Sequence, residues 1–393
     1  MLEVTKKAPA IRFKGFSDAW EQRKFSNIVN RVSQQSNDSN LPKVEFEDII
    51  SGEGRLNKDI SSKFDGRKGT VFEPEFILYG KLRPYLKNWL FPNFKGIALG
   101  DFWVFEPNNS SSIFDYYLIQ SDKYQTVANL SSGTKMPRSD WKTVSETEFS
   151  IPVNIEEQVK IGNFFKHLDD TIALHQRKLT LLEQLKQTYL QVMFPQGKES
   201  IPKLRFTDHS EPWEQRKLGE VGLVVMCKRI FKDQTTAFGD IPFYKIGTFG
   251  SSPDSFIPNE LFEEYKKNYP YPEIGDILMS ASGTIGRTVV YEGEKAYYQD
   301  SNIVWLKTEK SLIDNSFLKQ FYQVVKWSGL EGSTIKRLYN SNILSTGINL
   351  PSLREQTKLG TFFNQIDNTI ALHQEKIAHL KVLKSTLLNK MFI

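Results

Sequence analysis

Basic side chains interleaved with aromatic ones are the pattern in this sequence that most clearly suggests a chemistry. The stretch YGKLRPYLKNW (79–89) places Lys81, Arg83 and Lys87 among two tyrosines and a tryptophan. Lysine and arginine neutralise phosphates, and the guanidinium group of arginine can also form two hydrogen bonds to one guanine. The pattern therefore predicts contact with a nucleic acid, while for any single residue an ordinary solvated charge remains the alternative.

Three further segments carry the same kind of pattern. SSGTKMPRSDWK (131–142) lies in the same half of the chain, EGSTIKRLYN (331–340) lies in the second half, and one arginine follows the glycine-rich SASGTIG (280–286). The DNA-contacting residues predicted from these segments are Lys135, Arg138, Lys142, Arg287, Lys336, Arg337 and Tyr339. Loops on a rigid scaffold often carry such contacts, and their occurrence in both halves favours a function.

Signatures of catalysis are missing from the sequence. It contains no GxxxxGK(S/T) phosphate-binding loop, no HExxH metal site and no Asp/Asn-Pro-Pro-Tyr/Phe motif, which holds the target base in amino-group methyltransferases. We therefore expect no enzymatic activity, no bound metal and no cofactor in this chain. The single cysteine, Cys227, excludes internal disulfides and a cysteine-built zinc site, in agreement with a reducing compartment.

The composition is typical of a soluble globular protein. With 393 residues the chain is long enough for two or three domains, and its net charge of +5 permits nucleic-acid binding without requiring it. No apolar run approaches the roughly 20 residues that a membrane helix needs, and the start of the chain lacks the apolar stretch of a signal peptide. These features predict a cytoplasmic protein.

The elements that must position the basic segments are repeated along the chain. PAIRFKGFSDAWEQRK (9–24) returns as PKLRFTDHSEPWEQRK (202–217), and the segment 156–194, which contains the hexamer TIALHQ, returns as 354–392. The stretches between these constant segments share little similarity. The predicted organisation is a variable domain (1–150), a long helix with a linker (151–200), a second variable domain (201–348) and a second long helix (349–393).

Each constant segment is predicted to be a long helix with apolar residues at heptad spacing. The predicted core of the helix pair is Phe165, Leu168, Ile172, His175, Leu179 and Leu182 in the first copy and Phe363, Ile366, Ile370, His373, Ile377 and Leu380 in the second. Asn154 with Glu157, and Ser352 with Glu355, match capping boxes at the helix starts. An antiparallel pair would give both halves the same environment and bring the two histidines together, where a bridging metal is the alternative to local hydrogen bonds.

The variable domains are predicted to be α/β (α+β). Strand candidates rich in β-branched and aromatic residues are 76–80, 102–107, 241–249, 276–282, 288–293 and 302–307. One helix candidate follows the strands in each domain, at 114–130 and at 316–330. The predicted fold is thus two globular α/β domains separated by a pair of long antiparallel helices, with a pseudo-twofold internal repeat.

The ordered set of repeated motifs resembles the specificity subunit of bacterial type I restriction-modification systems. The motifs are WEQRK at the head of each half, a GTK or GST loop before each helix, Glu-Gln near each helix start, and TIALHQ and MF within the helices. Each motif alone is weak, but the doubled set covers the whole chain. The resemblance implies a non-catalytic subunit whose variable domains, the target-recognition domains of the family, each read one half of a bipartite double-stranded DNA target.

The resemblance also implies partners and the cofactors that they use. The helix pair would space the two domains and dock two methyltransferase (modification) subunits, which use S-adenosylmethionine to methylate adenine. Two restriction/translocase subunits would use ATP and magnesium to move and cut DNA, whereas this chain itself would hold no cofactor.

Two rival interpretations belong to other classes of protein. One is a coiled-coil scaffold whose α/β heads bind protein or glycan ligands, which should show no salt-dependent affinity for duplex DNA. The other is an enzyme with an unrecognised site, such as a nuclease, which incubation with DNA and magnesium would reveal.

Overall fold

The chain folds into two compact units. The computed structural model describes residues 8–63, 65–130, 135–197, 199–299, 302–328 and 337–393. Unit 1 comprises Met1–Arg177 with His373–Ile393, and unit 2 comprises Lys178–Leu372. The four segments predicted from the sequence are therefore grouped into two units, because each long helix contributes residues to both. In the described part of the chain, no helix is long and apolar enough to cross a membrane.

The helices include the two predicted long ones. The α-helices of the described residues are α1 (Ser112–Leu118), α2 (Asp122–Ala128), α3 (Trp141–Glu146), α4 (Ile155–Met193), α5 (Asn259–Asn268), α6 (Asn315–Val324), α7 (Asn340–Ser345) and α8 (Leu353–Met391). Each constant segment forms one uninterrupted helix of 39 residues. At a rise of about 1.5 Å per residue, each of these helices is roughly 58 Å long.

Unit 1 is built on two four-stranded sheets. Its strands are β1 (Glu21–Lys24), β2 (Val29–Val32), β3 (Gln35–Ser36), β4 (Lys43–Val44), β5 (Ile49–Ile50), β6 (Arg55–Leu56), β7 (Gly69–Phe72), β8 (Ile77–Gly80), β9 (Trp89–Leu90), β10 (Gly96–Ala98), β11 (Phe102–Pro107) and β12 (Glu148–Ile151). The sheet orders are β3-β7-β10-β4 and β2-β11-β8-β9, while β1 pairs with β12 and β5 with β6. Of these pairs, only β10 with β4 is parallel.

Strand β11 carries a continuous apolar run because both of its faces are covered. Trp103 and Phe105 lie 6.0 and 6.5 Å, between ring centroids, from the ring of Tyr79 on one face. Phe102 and Val104 point to the opposite face and join a second apolar cluster. Successive side chains of a strand alternate between its faces, so this run marks a strand buried on both sides.

Unit 2 repeats the main sheet of unit 1 and differs in its second sheet. Its strands are β13 (Glu214–Lys217), β14 (Gly222–Val225), β15 (Ile241–Tyr244), β16 (Phe256–Ile257), β17 (Ile277–Ser280), β18 (Thr288–Val290), β19 (Tyr297–Tyr298), β20 (Ile303–Thr308) and β21 (Gly347–Leu350). The main sheet has the order β14-β20-β17-β18, equivalent to β2-β11-β8-β9. A three-stranded sheet β16-β15-β19 and the pair β13-β21 complete the unit. The mostly antiparallel pairing makes both domains α+β.

The long helices pack antiparallel inside each unit. In unit 1 the rings of Phe165 and Phe392 lie 5.9 Å apart, and Asp169 forms an ion pair of 2.7 Å with Lys384. Residue numbers therefore rise along α4 while those of the contacting residues on α8 fall. The helices run antiparallel in unit 2 as well, where the charged atoms of Lys186 and Asp367 lie 2.6 Å apart. The predicted antiparallel pairing is thus present in both units.

All twelve residues predicted for the helix-pair core are at least partly shielded from solvent. Phe165, Leu168, Ile172, Phe363, Ile377 and Leu380 are buried, and His175, Leu179, Leu182, Ile366, Ile370 and His373 are partly buried. The heptad pattern also places Lys186 and Lys384 in the same row. Each of these lysines is neutralised by an aspartate of the other helix, since an unpaired charge there would be costly.

Two of the shorter predicted helices differ from the structure. The predicted helix 114–130 is divided into α1 and α2, because Ser121 caps the second helix and accepts a hydrogen bond from the backbone of Tyr124. A serine side chain that bonds its own backbone favours a helix start over a helix interior. The predicted helix 316–330 ends at Val324, and residues 329 and 330 lie outside the described residues.

The predicted capping boxes at the long helices form only in part. Asn154 accepts a hydrogen bond from the backbone of Glu156, and Ser352 accepts one from the backbone of Glu355. The reciprocal bond is not made, because the carboxylates of Glu157 and Glu355 bind arginines instead.

Candidate nucleic-acid interface

The two predicted basic segments of unit 1 lie side by side. Leu82 and Arg138 form an antiparallel bridge, and the backbone N–H of Arg83 donates to the carbonyl of Pro137 at 2.8 Å. The N–H of Ser139 donates to the carbonyl of Lys81 at 2.9 Å. We call residues 81–88 and 135–142 edge 1. It brings together all six cations predicted in this unit, namely Lys81, Arg83, Lys87, Lys135, Arg138 and Lys142.

One carboxylate organises part of edge 1. Asp101 lies 3.6 Å from the ammonium of Lys81 and 3.0 Å from the guanidinium of Arg138, measured between the charged atoms. Tyr85 and Met136 are exposed beside these cations. The sequence interpretation missed Asp101, although an acidic residue directly before a buried strand is a signal of a polar strand end. The edge keeps a large positive excess.

Lys87 has a second environment. Its backbone carbonyl accepts a hydrogen bond from the N–H of Gly52 at 2.9 Å. It also lines a cavity of about 300 Å³ together with Glu53, Trp89 and Lys384. Lys87 therefore belongs to edge 1 in sequence but borders the long helices of its own unit as well.

The predicted residues of unit 2 gather at the equivalent place. The N–H of Leu338 donates to the carbonyl of Ala281 at 2.8 Å, as Ser139 does to Lys81 in unit 1. The guanidinium of Arg337 lies 5.6 Å from the ring centroid of Tyr339, which is 59% exposed. Arg287 donates to the carbonyl of Phe249 at 2.8 Å. We call residues 281–287 and 337–339 edge 2.

Part of the predicted interface is not described. Lys336 lies outside the described residues, as do the Gly-Ser/Thr loops at 131–134 and 329–336. Edge 2 is therefore represented by Arg287, Arg337 and Tyr339.

Strand register shows that the two edges are equivalent. Gly80 pairs with Phe102 in unit 1, and Ser280 pairs with Ile303 in unit 2. In each unit, the residue after this pair donates its N–H to a backbone carbonyl across the sheet. Lys81 donates to Asp101 at 2.9 Å in unit 1, and Ala281 donates to Asn302 at 2.7 Å in unit 2. The same backbone frame thus carries different side chains in the two units.

Comparison with known families agrees with this duplicated frame. Residues 20–184 and 210–382 match the family model of the type I restriction modification DNA specificity domain. The chain belongs to this family. Proteins of this family are in general specificity subunits without catalytic activity.

Relatives of the chain carry names of the same kind. A putative type I restriction enzyme specificity subunit of Haemophilus influenzae is 55% identical over 151 residues, which are 38% of this chain and 39% of the relative. The putative MjaX specificity subunit of Methanocaldococcus jannaschii is 24% identical over 207 residues, 49% of this chain and 48% of the relative. The matched segments thus span less than half the length of these relatives.

Solved structures share the fold. The crystal structure of a type I restriction-modification S subunit from M. genitalium superimposes with a TM-score of 0.66 at 15% identity, covering 98% of this chain and 99% of that one. A chain from a study of complex assembly in a type I system gives a TM-score of 0.55 at 21% identity, covering 95% and 97%.

Two arginines that the sequence interpretation missed link the constant segment at the head of each half to the start of a long helix. Arg12 donates two hydrogen bonds, of 2.6 and 2.8 Å, to Glu157 at the start of α4. Arg205 does the same to Glu355 at the start of α8, at 2.7 and 2.8 Å. The bonds to these carboxylates raise the pKa of both guanidinium groups. Their signal was present in the repeat, since both copies contain Arg-Phe before WEQRK.

The duplicated hexamer has two different environments. The Nδ1 atoms of His175 and His373 lie 2.8 Å apart in unit 1, as the antiparallel pairing predicts. Gln176, however, donates at 2.9 Å to Glu53 of the hairpin β5–β6, while the equivalent Gln374 is exposed. The first copy of the hexamer therefore contacts the variable part of unit 1 as well as the second copy.

The hairpin is held to the helices by charge. Burial would raise the pKa of Glu53, but hydrogen bonds from Arg55, Gln176 and Lys381 outweigh it and lower that pKa to about 2.

No group of three or more His, Cys, Asp or Glu side chains among the described residues is placed to hold a metal ion.

Proposed function

We propose that this chain is the DNA-recognition subunit of a type I restriction-modification complex. The variable domain of unit 1 reads one half of a bipartite double-stranded target, and that of unit 2 reads the other half, with the helix pair setting their spacing. The observation that carries this proposal is the equivalence of edges 1 and 2. Reading two different half-sites requires one backbone frame with two sets of side chains, and these edges have that character.

The chemistry of the edges suits duplex DNA. Lys135, Lys142 and the other exposed cations of edge 1 can neutralise phosphates, which supplies affinity and makes it salt-dependent. Arginine side chains can in addition form two hydrogen bonds to one guanine in the major groove, which supplies sequence preference. Tyr339, exposed beside Arg337, offers an apolar face for sugar or base contact.

The proposal assigns catalysis to partner subunits. Two methyltransferase subunits would dock on the constant segments and use S-adenosylmethionine to methylate adenine, and two restriction/translocase subunits would use ATP and magnesium. Such a complex acts on DNA in the cytoplasm. The long helices are suited to docking because their sequences are alike, so the same partner can meet each copy. The rival scaffold that binds protein or glycan is not favoured, because the matched family is one of DNA specificity domains.

A salt-dependent binding titration tests the proposal. Fluorescence anisotropy of a labelled duplex is measured at several salt concentrations for the wild type, the Lys135→Ala/Arg138→Ala variant and Arg337→Ala. Each phosphate contact that is lost should reduce the slope of log K against log salt by about 0.9. Lys310→Ala is the matched control, since this lysine of unit 2 is exposed and pairs with Glu273 away from edge 2.

The control should keep the wild-type slope. Equal slopes for all four proteins would contradict DNA binding by the edges, and no salt dependence in the wild type would contradict DNA recognition itself.

A further inference from the structure

The equivalent loops of edges 1 and 2 both require left-handed backbone. In unit 2, Gly283 has φ +67° and stands three residues after the end of strand β17. In unit 1, Arg83 has φ +50° and stands three residues after the end of strand β8. The same position of the loop is therefore left-handed in both units, but only one unit uses glycine there.

The second left-handed position of the loop shows the same contrast. Gly286 has φ +80° and lies two residues before β18, whereas Lys87 has φ +56° and lies two residues before β9. Glycine adopts this conformation without steric cost. In other residues the Cβ atom then lies close to the following carbonyl oxygen. Unit 1 thus bears this conformational cost at two positions, and unit 2 avoids it at both because it has glycine there.

Conformation rather than space explains the glycine of unit 2. A Cβ added to Gly283 would meet its nearest neighbour, Cγ1 of Ile246, at 3.9 Å, which is ordinary van der Waals contact. At the equivalent position in unit 1 the residue is followed by Pro84, which restricts the backbone of Arg83 further. The fold itself therefore favours glycine at position 83, and the arginine there carries a conformational cost.

The guanidinium of Arg83 has unused hydrogen-bonding capacity. Its Nε is shielded from solvent and finds no hydrogen-bond partner among the described residues. Asp101, the carboxylate of this edge, pairs with Lys81 and Arg138 instead. Two backbone hydrogen bonds fix the position of Arg83, one to Pro137 and one from Leu86, each 2.8 Å long. The loop therefore fixes the backbone of Arg83, while no ion pair or hydrogen bond found among the described residues uses its guanidinium.

We propose that Arg83 is a base-reading residue of edge 1 and forms the two-pronged contact to a guanine in the half-site of unit 1. Backbone strain of this kind persists where the side chain has a function. The inference rests on the proposed DNA recognition and extends it to one residue and one base. In unit 2 the equivalent Gly283 supplies no side chain, so the reading contacts of edge 2 come from other positions.

The test compares three variants of the full chain assembled with its methyltransferase subunits. Arg83→Gly removes both the strain and the side chain, and Arg83→Lys keeps the strain and the charge but cannot fork onto guanine. Glu75→Gly is the matched control, because Glu75 has φ +66° at the other end of strand β8 and lies outside edge 1. Melting temperature and base preference at each target position are measured by competition among duplexes with randomised half-sites.

We expect Arg83→Gly and Glu75→Gly to raise the melting temperature. Both Arg83 variants should lose the preference for G·C at one position of one half-site, by roughly 10- to 100-fold, and Glu75→Gly should keep every preference. Arg83→Lys should keep the salt dependence of the wild type.

Two results would overturn the inference while leaving DNA recognition intact. One is a melting temperature lowered by Arg83→Gly, which would make Arg83 a structural residue. The other is unchanged base preference in both Arg83 variants. A wild-type complex without sequence-selective duplex binding would contradict the proposed function, and the inference with it.

Discussion

Arg12 and Arg205 occupy equivalent positions in the two units and bind equivalent glutamates. Glu157 and Glu355 are each 1% exposed, so their charges are compensated almost entirely by the arginine opposite. A carboxylate left in such a place without its partner is strongly destabilising, because little water can reach it. These pairs tie the constant segment at the head of each half, 9–24 or 202–217, to the start of a long helix.

Arg12→Ala should lower the free energy of unfolding by about 3 kcal/mol, because it leaves the buried Glu157 carboxylate unpaired. Arg67→Ala is the control, since that guanidinium is 53% exposed and solvent screens its pairs with Glu45 and Asp65, so this variant should lose far less stability. Urea denaturation measures both, and equal losses in the two variants would contradict the role given to burial.

The sequence indicated some of these residues but not their partners. Lysines and arginines of the edges were found because cations among aromatic residues form a local pattern. Asp101 and the pairing of Glu157 with Arg12 were not, since the residues that these carboxylates bind are distant in sequence. For Glu157 a local explanation, the capping box, was available and competed with the correct one.

At the scale of elements, the long helices were predictable because their heptads repeat over many turns. The six strand candidates lie within a few residues of β8, β11, β15, β17, β18 and β20, whereas the other strands of the described residues and the strand order were not predicted. Strand β1 pairs with β12, and this brings Glu21 next to Ile151 with no local signal in either segment. Sheet order depends on such long-range contacts, which period and propensity do not encode.

Helix α4 allows a matched test of its buried row. Ile172 is 6% exposed, while Leu174 on the same helix is 53% exposed. Ile172→Asp should lower the melting temperature markedly and impair assembly with the methyltransferase, because an unpaired buried carboxylate costs several kcal/mol. Leu174→Asp should leave the melting temperature nearly unchanged. Similar melting curves for the two variants would argue against a packed helix pair.

At the scale of the whole molecule, the chain is a duplicated specificity protein whose two units are not identical. Both units contain the pairs β1–β12 or β13–β21, an arginine bound to the helix start, and an edge with the same backbone frame. The hairpin β5–β6, bound through Glu53 to Gln176, is described in unit 1 alone. The sequence predicted the duplication from its constant segments, whereas this asymmetry lies in the variable part, where no repeat points to it.

The central claim is that each variable domain reads its own half of the target. Residues 25–150 can be exchanged for the corresponding segment of another family member, with the Arg12–Glu157 pair outside the exchanged segment so that the link to helix α4 is kept. Methylated adenines are then mapped across the genome of cells that contain the methyltransferase subunits. The account predicts that one half of the methylated sequence changes and the other half stays as in the wild type. A change in both halves, or in neither, would contradict it.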